Sequence, residues 1–341
     1  MHKTLVSIAA VLVGVTSFSG IALGAAPFFE GKVIRIIVGL PAGGGYDAYA
    51  RLIARHMPKH IPGNPTIIVE NMTGAGSLIS ANHLFRVAKP DGLTIGHFIG
   101  NLFFNQLMKQ QGVEFDAQKF EFIGASAKEE AVFAFSKKSG ITSLEKWMAS
   151  KTPVKMAGQA PGAAPDNAIR IAKTALGLPI QLVSGYKGTS EQRLAVESGE
   201  VAGTSYAWAS MRATWRKSLE SGDVVAVLQA VPKPFADLPK VPLAMSLART
   251  EEARLLIDVG LHKSGEFSRP FALPPGTPQE RVQVLVKAFQ DTLRDKEFLE
   301  EADKARLDID LVTGEELKKA VAGLFSLEPV VVAKLQEVLF R

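Results

Sequence analysis

No cysteine occurs anywhere in the 341 residues. Disulfides, thiolate metal sites, a cysteine nucleophile and a lipid-modified cysteine anchor are thereby excluded. Blocks of like charge are missing too. The formal charge is only +5, with Lys and Arg dispersed along the chain, which argues against a nucleic-acid partner. No GxxxxGK[ST] and no GxSxG occurs, and no Ser/His/Asp grouping is evident from spacing. The stretch NMTGAGS has two of the glycines of a dinucleotide fingerprint, but Ile79 stands where the third belongs. His56 and His60 are spaced as a possible metal pair. Their helix is expected to break at Pro58, and no acid adjoins them, so neither a metal nor a cofactor is expected. What is present is a hydrophobic content of 47%, enough for one large or two medium domains with a true core.

Residues 1–26 stand apart. A single lysine precedes LVSIAAVLVGVTSFSGIALGAA, an apolar run that ends in small residues. This is the pattern of a secretory signal peptide, with cleavage expected near residues 24–26 and export as its consequence. The rival reading is an uncleaved anchor, because the run approaches spanning length; its serines, threonine and glycines weaken that reading.

The rest of the chain is organised around residues 39–51, GLPAGGGYDAYAR, and a partner at 158–170, GQAPGAAPDNAIR. Four positions coincide at a constant offset: Gly39 with Gly158, Gly43 with Gly162, Asp47 with Asp166, and Arg51 with Arg170. Each copy follows a short apolar run and leads into a segment of helical period, which predicts strand, Gly-rich turn and helix, made twice. A helix N-terminus has unpaired backbone N–H groups and a partial positive charge, so it attracts anions. Two such ends across a gap would grip a small anion from both sides. The acids in the first helical turns either offset the helix dipole or meet a donor on the ligand. The arginines four residues on have ion-pair spacing.

Alternating apolar runs and helical segments predict β-α-β-α-β over residues 32–100, then the same order over 154–208. The fold class is therefore α/β, with an internal duplication. The expected division is a signal peptide at 1–26, a first lobe at 27–124, a second lobe at 125–230, and a segment 231–341 that completes the first lobe and adds C-terminal helices. The apolar run near Phe271 is expected to join the first lobe's sheet. Tyr186, Tyr206 and Trp208 lie near strand ends, where they either line a pocket or cap the core.

Several stretches together resemble the substrate-binding proteins of tripartite tricarboxylate transporters, the Bug-type periplasmic receptors. They are IRIIVGLPAGGGYDAYARLIA, IIVENMTGAGSLISAN, KPDGLTIG, GYKGTSEQRLAVESGEV and FALPPGTPQERV, spread over nearly the whole mature chain. The resemblance implies a two-lobed Venus-flytrap architecture, each lobe a mostly parallel sheet flanked by helices. It implies a monomeric receptor with no catalysis, which holds an organic carboxylate and hands it to a membrane permease. Carried over, the first half of the site falls on Ala42, Gly43, Gly44, Tyr46 and Asp47. The second falls on Gln159, Gly162, Ala163 and Ala164, with Tyr206 nearby. The second turn is rich in Ala and Pro where the family has hydroxyls and His, which suggests an apolar or aromatic body on the acid. Two alternatives stay open: an exported sensor for a signalling partner, and an α/β phosphate- or nucleotide-binding enzyme.

Overall fold

The computed structural model describes residues 27–128 and 130–340. The expected signal peptide lies outside the described residues. Among the described residues, eleven strands form two sheets. The first holds β1 (Val33–Val38), β2 (Thr66–Asn71), β3 (Thr94–His97), β4 (Glu121–Ala125), β10 (Pro270–Leu273) and β11 (Val312–Thr313), in the order β11-β4-β10-β3-β1-β2. The second holds β5 (Ala131–Ser136), β6 (Val154–Ala157), β7 (Ile180–Val183), β8 (Gly203–Ala207) and β9 (Val224–Ala230), in the order β7-β6-β8-β5-β9.

The two-lobed α/β class is as expected, but the sheets are mixed rather than mostly parallel, because strands of reversed direction enter each one. β1 pairs in parallel with β2 and β3, and β6 with β7 and β8. The reversed strands are β10 and β11 in the first sheet and β5 in the second. One face of β1 is buried throughout, with Ile34, Ile36 and Val38, while on the other Ile37 is buried and Val33 and Arg35 are exposed. Tyr49, Ala50, Leu52 and Ile53 of the following helix, Gly45–His56, form its buried stripe. That helix tightens at Met57–His60, with Pro58 in the first turn of the 3-10 segment, where its missing N–H costs nothing.

The chain passes from β4 to β5 through residues 126–130 and returns by a helical stretch. The helix Glu251–Ile257 widens into a π-helical turn at Asp258–Lys263, then continues as Ser264–Phe267 into β10. Gly260 lets this turn lie against the second lobe's helix Ala164–Leu176, since a Cβ there would stand 2.4 Å from Ile171 Cδ1. The residues after 231 serve both lobes. β10, β11 and the helices Gln279–Arg294 and Gly314–Phe325 build onto the first sheet. Glu251–Ile257 and the last helix, Pro329–Phe340, pack on Ala164–Leu176, the latter burying Leu335, Val338 and Leu339. Sequence periodicity missed the short helices Leu102–Leu107, Trp208–Thr214 and Lys296–Lys304 and the strand β9. Trp208, expected to extend a strand, instead opens a helix. Among the described residues, no helix is long and apolar enough to cross a membrane.

Candidate functional site

Each matched turn leaves the carboxyl end of a parallel strand, the edge at which open α/β sheets bind ligands. After β1 the chain turns through Gly39–Gly44 into Gly45–His56. Gly43 takes φ +80°, a left-handed conformation natural to glycine. The carboxylate of Asp47, almost fully buried, holds this turn in shape. It accepts from the Gly43 N–H (3.0 Å), Arg51 Nε (3.0 Å) and Asn71 Nδ2 (3.0 Å). Asn71 Nδ2 also donates to Leu40 O at 2.8 Å. Burial pushes the Asp47 carboxyl up, but the hydrogen bonds from Arg51, Gly43 and Asn71 outweigh it and leave it below the ordinary range.

The second turn repeats the device with different partners. Gly162 takes φ +85°, and Pro165 lies in the first turn of Ala164–Leu176. Asp166 is fully buried and accepts from the Gln159 N–H and the Ser184 hydroxyl. Here burial dominates: the Asp166 carboxyl is raised despite the hydrogen bonds from Ser184 and Gln159 and the nearby charge of Arg170. The opposite shifts have a structural cause. Arg51 closes the expected ion pair at 3.0 Å, whereas Arg170 acts on Asp166 only through its charge and buries an Nε without a hydrogen-bond partner among the described residues. Both acids therefore brace their turns.

The two turns meet the opposite lobe in a crossed, two-fold arrangement. The first abuts the loop after β7: a Cβ at Gly188 would lie 2.8 Å from Pro41 Cδ, and one at Gly44 3.0 Å from Thr189 Oγ1. The second abuts the loop after β2: a Cβ at Gly76 would lie 3.2 Å from Ala160 Cβ and 3.3 Å from Ala163 Cβ. Exchanging the lobes carries one contact set onto the other. The helices after β8 and β3 complete the pattern, with Ser210 against Gly45 and Asn105 against Gly162. Arg269, itself buried, donates from Nη2 to Ser210 Oγ at 3.0 Å, and Asn105 Nδ2 to Pro161 O at 3.4 Å. On the flank of the interface Arg212 pairs with Asp308 of the first lobe and with Asp237.

The structure brings together most, not all, of the residues singled out from sequence. Gly44, Gln159, Gly162 and Ala163 are buried where the lobes meet; Ala42 and Gly43 lie exposed on the rim, and Ala164 is half-buried. Asp47 is in the first turn, but its oxygens are committed to Gly43, Arg51 and Asn71. Tyr46 turns inward: its hydroxyl donates to Ser268 O at 2.8 Å and its ring lies 4.8 Å from that of His97. Tyr206 is displaced further. Its ring stacks on Trp215 at 6.3 Å and its hydroxyl sits beside Thr214, in the second lobe's core. Strand alternation explains this, since Tyr206 shares a face with Thr204, whose hydroxyl bonds Ala157 O and Gln192 Oε1 under the helix Thr189–Ser198.

Sequence reasoning missed Asn105, Thr189, Ser210 and Arg269. They lie on the loops and short helices that oppose the turns, and nothing in their local pattern distinguishes them from ordinary polar residues. His56 does come close to acids, in a cluster with Asp295 and Glu297. The Lys59 ammonium already lies 2.9 Å from Asp295 and 2.7 Å from Glu297, and His56 bonds Glu301, so ion pairs account for the cluster.

The fold has counterparts. A protein of the gbd 5′ region of Cupriavidus necator is 24% identical over 311 residues, 90% of this chain and 88% of its own. The periplasmic binding protein BugD superposes with a TM-score of 0.72 at 21% identity, over 90% of this chain and 97% of its own. MatC from Rhodopseudomonas palustris, with bound malate, superposes with a TM-score of 0.70 at 18% identity, over 90% and 99%. The model of the tripartite tricarboxylate transporter family receptor matches residues 49–324. With that model spanning most of its length, and with two sheets whose matched turns face each other, the chain belongs to the tripartite tricarboxylate transporter receptor family.

Proposed function

We propose that this chain is an exported, monomeric receptor that encloses a small organic carboxylate between its lobes and delivers it to the permease of a tripartite transporter, without catalysis of its own. The observation that carries this reading is the crossed meeting of the two turns. Each presents a helix N-terminus at the carboxyl edge of its sheet, and each is closed by a loop of the opposite lobe. Unpaired N–H groups at two such ends suit a carboxylate, and the acids nearest to them are already engaged. The malate bound in MatC supports the same ligand class.

The test is native mass spectrometry of the purified protein, before and after unfolding and refolding, followed by titration with mono-, di- and tricarboxylates. A bound acid that is lost on refolding, or saturable binding of one acid, is the expected result. Folded, ligand-stripped protein that binds none of a broad panel overturns the reading.

A further inference from the structure

The second turn is surrounded by amide oxygens that lack donors. Asn105 is 6% exposed, Gln159 5% and Asn167 1%, and each has a buried side-chain oxygen without a hydrogen-bond partner among the described residues. The orientation of two of these amides is fixed by their own nitrogens. Asn167 Nδ2 donates to Gly162 O at 3.1 Å, and Asn105 Nδ2 to Pro161 O at 3.4 Å. Reversing either amide would set oxygen against carbonyl oxygen. Asn105 is the one that crosses between lobes. It arises from the first lobe, and its Oδ1 would stand 1.8 Å from a Cβ at Gly162, so the bare glycine is what admits it over the turn.

A buried acceptor without a donor is costly, and it repels a carboxylate oxygen. A ligand carboxylate held by backbone N–H groups therefore cannot also face Asn105; a hydroxyl or an amine can. We propose that Asn105 is a specificity-determining residue of this cleft, its Oδ1 accepting a hydrogen bond from an O–H or N–H donor carried by the bound acid. The receptor then selects carboxylates that bear such a donor over plain ones of the same shape. This rests on the carboxylate-receptor reading above.

The experiment is calorimetric titration of ligand-stripped wild type and of Asn105→Leu with matched acids: succinate against malate and aspartate, and 3-phenylpropionate against 3-phenyllactate and phenylalanine. Wild type is expected to bind the donor-bearing member of at least one set about tenfold or more tightly. In Asn105→Leu the ratio of the two affinities should collapse to within about threefold, whatever the change in affinity for the plain acid. The hydroxyl and amine arms identify the donor. Asn105→Ala serves in the same comparison if the leucine variant does not fold. Equal wild-type binding of plain and donor-bearing acids, or a preference that survives in the folded variants, overturns this inference alone. Binding of no acid by folded wild type overturns the receptor reading and this inference with it.

Discussion

Arg212, on the second lobe's helix Trp208–Thr214, forms an ion pair with Asp308 of the first lobe. The same guanidinium lies 3.5 Å from Asp237, whose carboxylate accepts from Trp208 Nε1 at 2.9 Å. It thus ties the second lobe's interface helix to the first lobe, outside the turns. Both partners are partly exposed, so the pair contributes roughly 0.2–1 kcal/mol and weakens with salt. Asp308→Ala is expected to lower ligand affinity by at most about fivefold, an effect that shrinks at high ionic strength. Titration at low and high salt, with small-angle scattering of the ligand-free protein, checks this. An unchanged affinity at low salt would show that the pair does not favour the closed arrangement.

The two left-handed glycines differ in what a side chain would meet. At Gly43 a Cβ meets nothing within 4 Å, whereas at Gly162 it collides with Asn105 Oδ1. Both alanine substitutions carry backbone strain of roughly 1–2 kcal/mol, lowering the melting temperature by a few degrees. Gly162→Ala should in addition weaken binding by about tenfold or more, because the lobes can no longer seat. Gly43→Ala should leave affinity within about threefold. Equal losses of binding in the two would contradict the collision argument.

Asp47 and Asp166 predict opposite dependences on pH. The folded Asp47 carboxyl lies below its ordinary 3.8, so its contribution to stability is present above that value and is lost as pH falls through the folded one. Asp47→Asn should cost roughly 1–3 kcal/mol at pH 7 and progressively less in acid. The folded Asp166 carboxyl lies above 3.8, so its contribution favours folding below that value and is lost as pH rises through the folded one. Asp166→Asn should therefore flatten the pH dependence of stability on the neutral side of 3.8, where wild type loses stability. Chemical denaturation at several pH values separates the two. Parallel profiles for the two variants would refute the assignment.

Tyr206 is expected to be irrelevant to the ligand. Its ring stacks on Trp215 within the second lobe, and burial raises its hydroxyl well above the ordinary phenol range. Tyr206→Phe should leave affinity within about twofold, with at most a small change in melting temperature. A large loss of binding with stability intact would place this residue at the cleft after all.

The duplicated turn was legible because four fixed positions and two periodicities recur in order, and each turn's geometry follows from local chemistry: a left-handed glycine and an acid that accepts a nearby N–H. The inward rotation of Tyr46 was not legible. It depends on Ser268, far along the chain, offering a carbonyl. Asn105, Thr189 and Ser210 were hidden for the same reason: their roles come from the opposite lobe. Strand β10 was placed by its apolar run alone, but its reversed direction and its position between β3 and β4 are set by the tertiary route of the chain. The helix Leu102–Leu107 has apolar residues at successive positions because its surroundings bury nearly all of it, which erases the period that would mark it.

The position of β10 also imposes an order on folding. β3 and β4 are joined only through Pro270–Leu273, so the first sheet stays split, with β4 unpaired, until the chain beyond the whole second lobe is present. The strands of the second sheet are contiguous in sequence and meet no such delay. In a polypeptide emerging from its N-terminus, the later-synthesised sheet is thus the earlier to close, although the helices Glu251–Ile257 and Pro329–Phe340 that cover Ala164–Leu176 come later still. Truncation anywhere before β10 leaves the earlier-synthesised lobe with two open β edges rather than a smaller native unit.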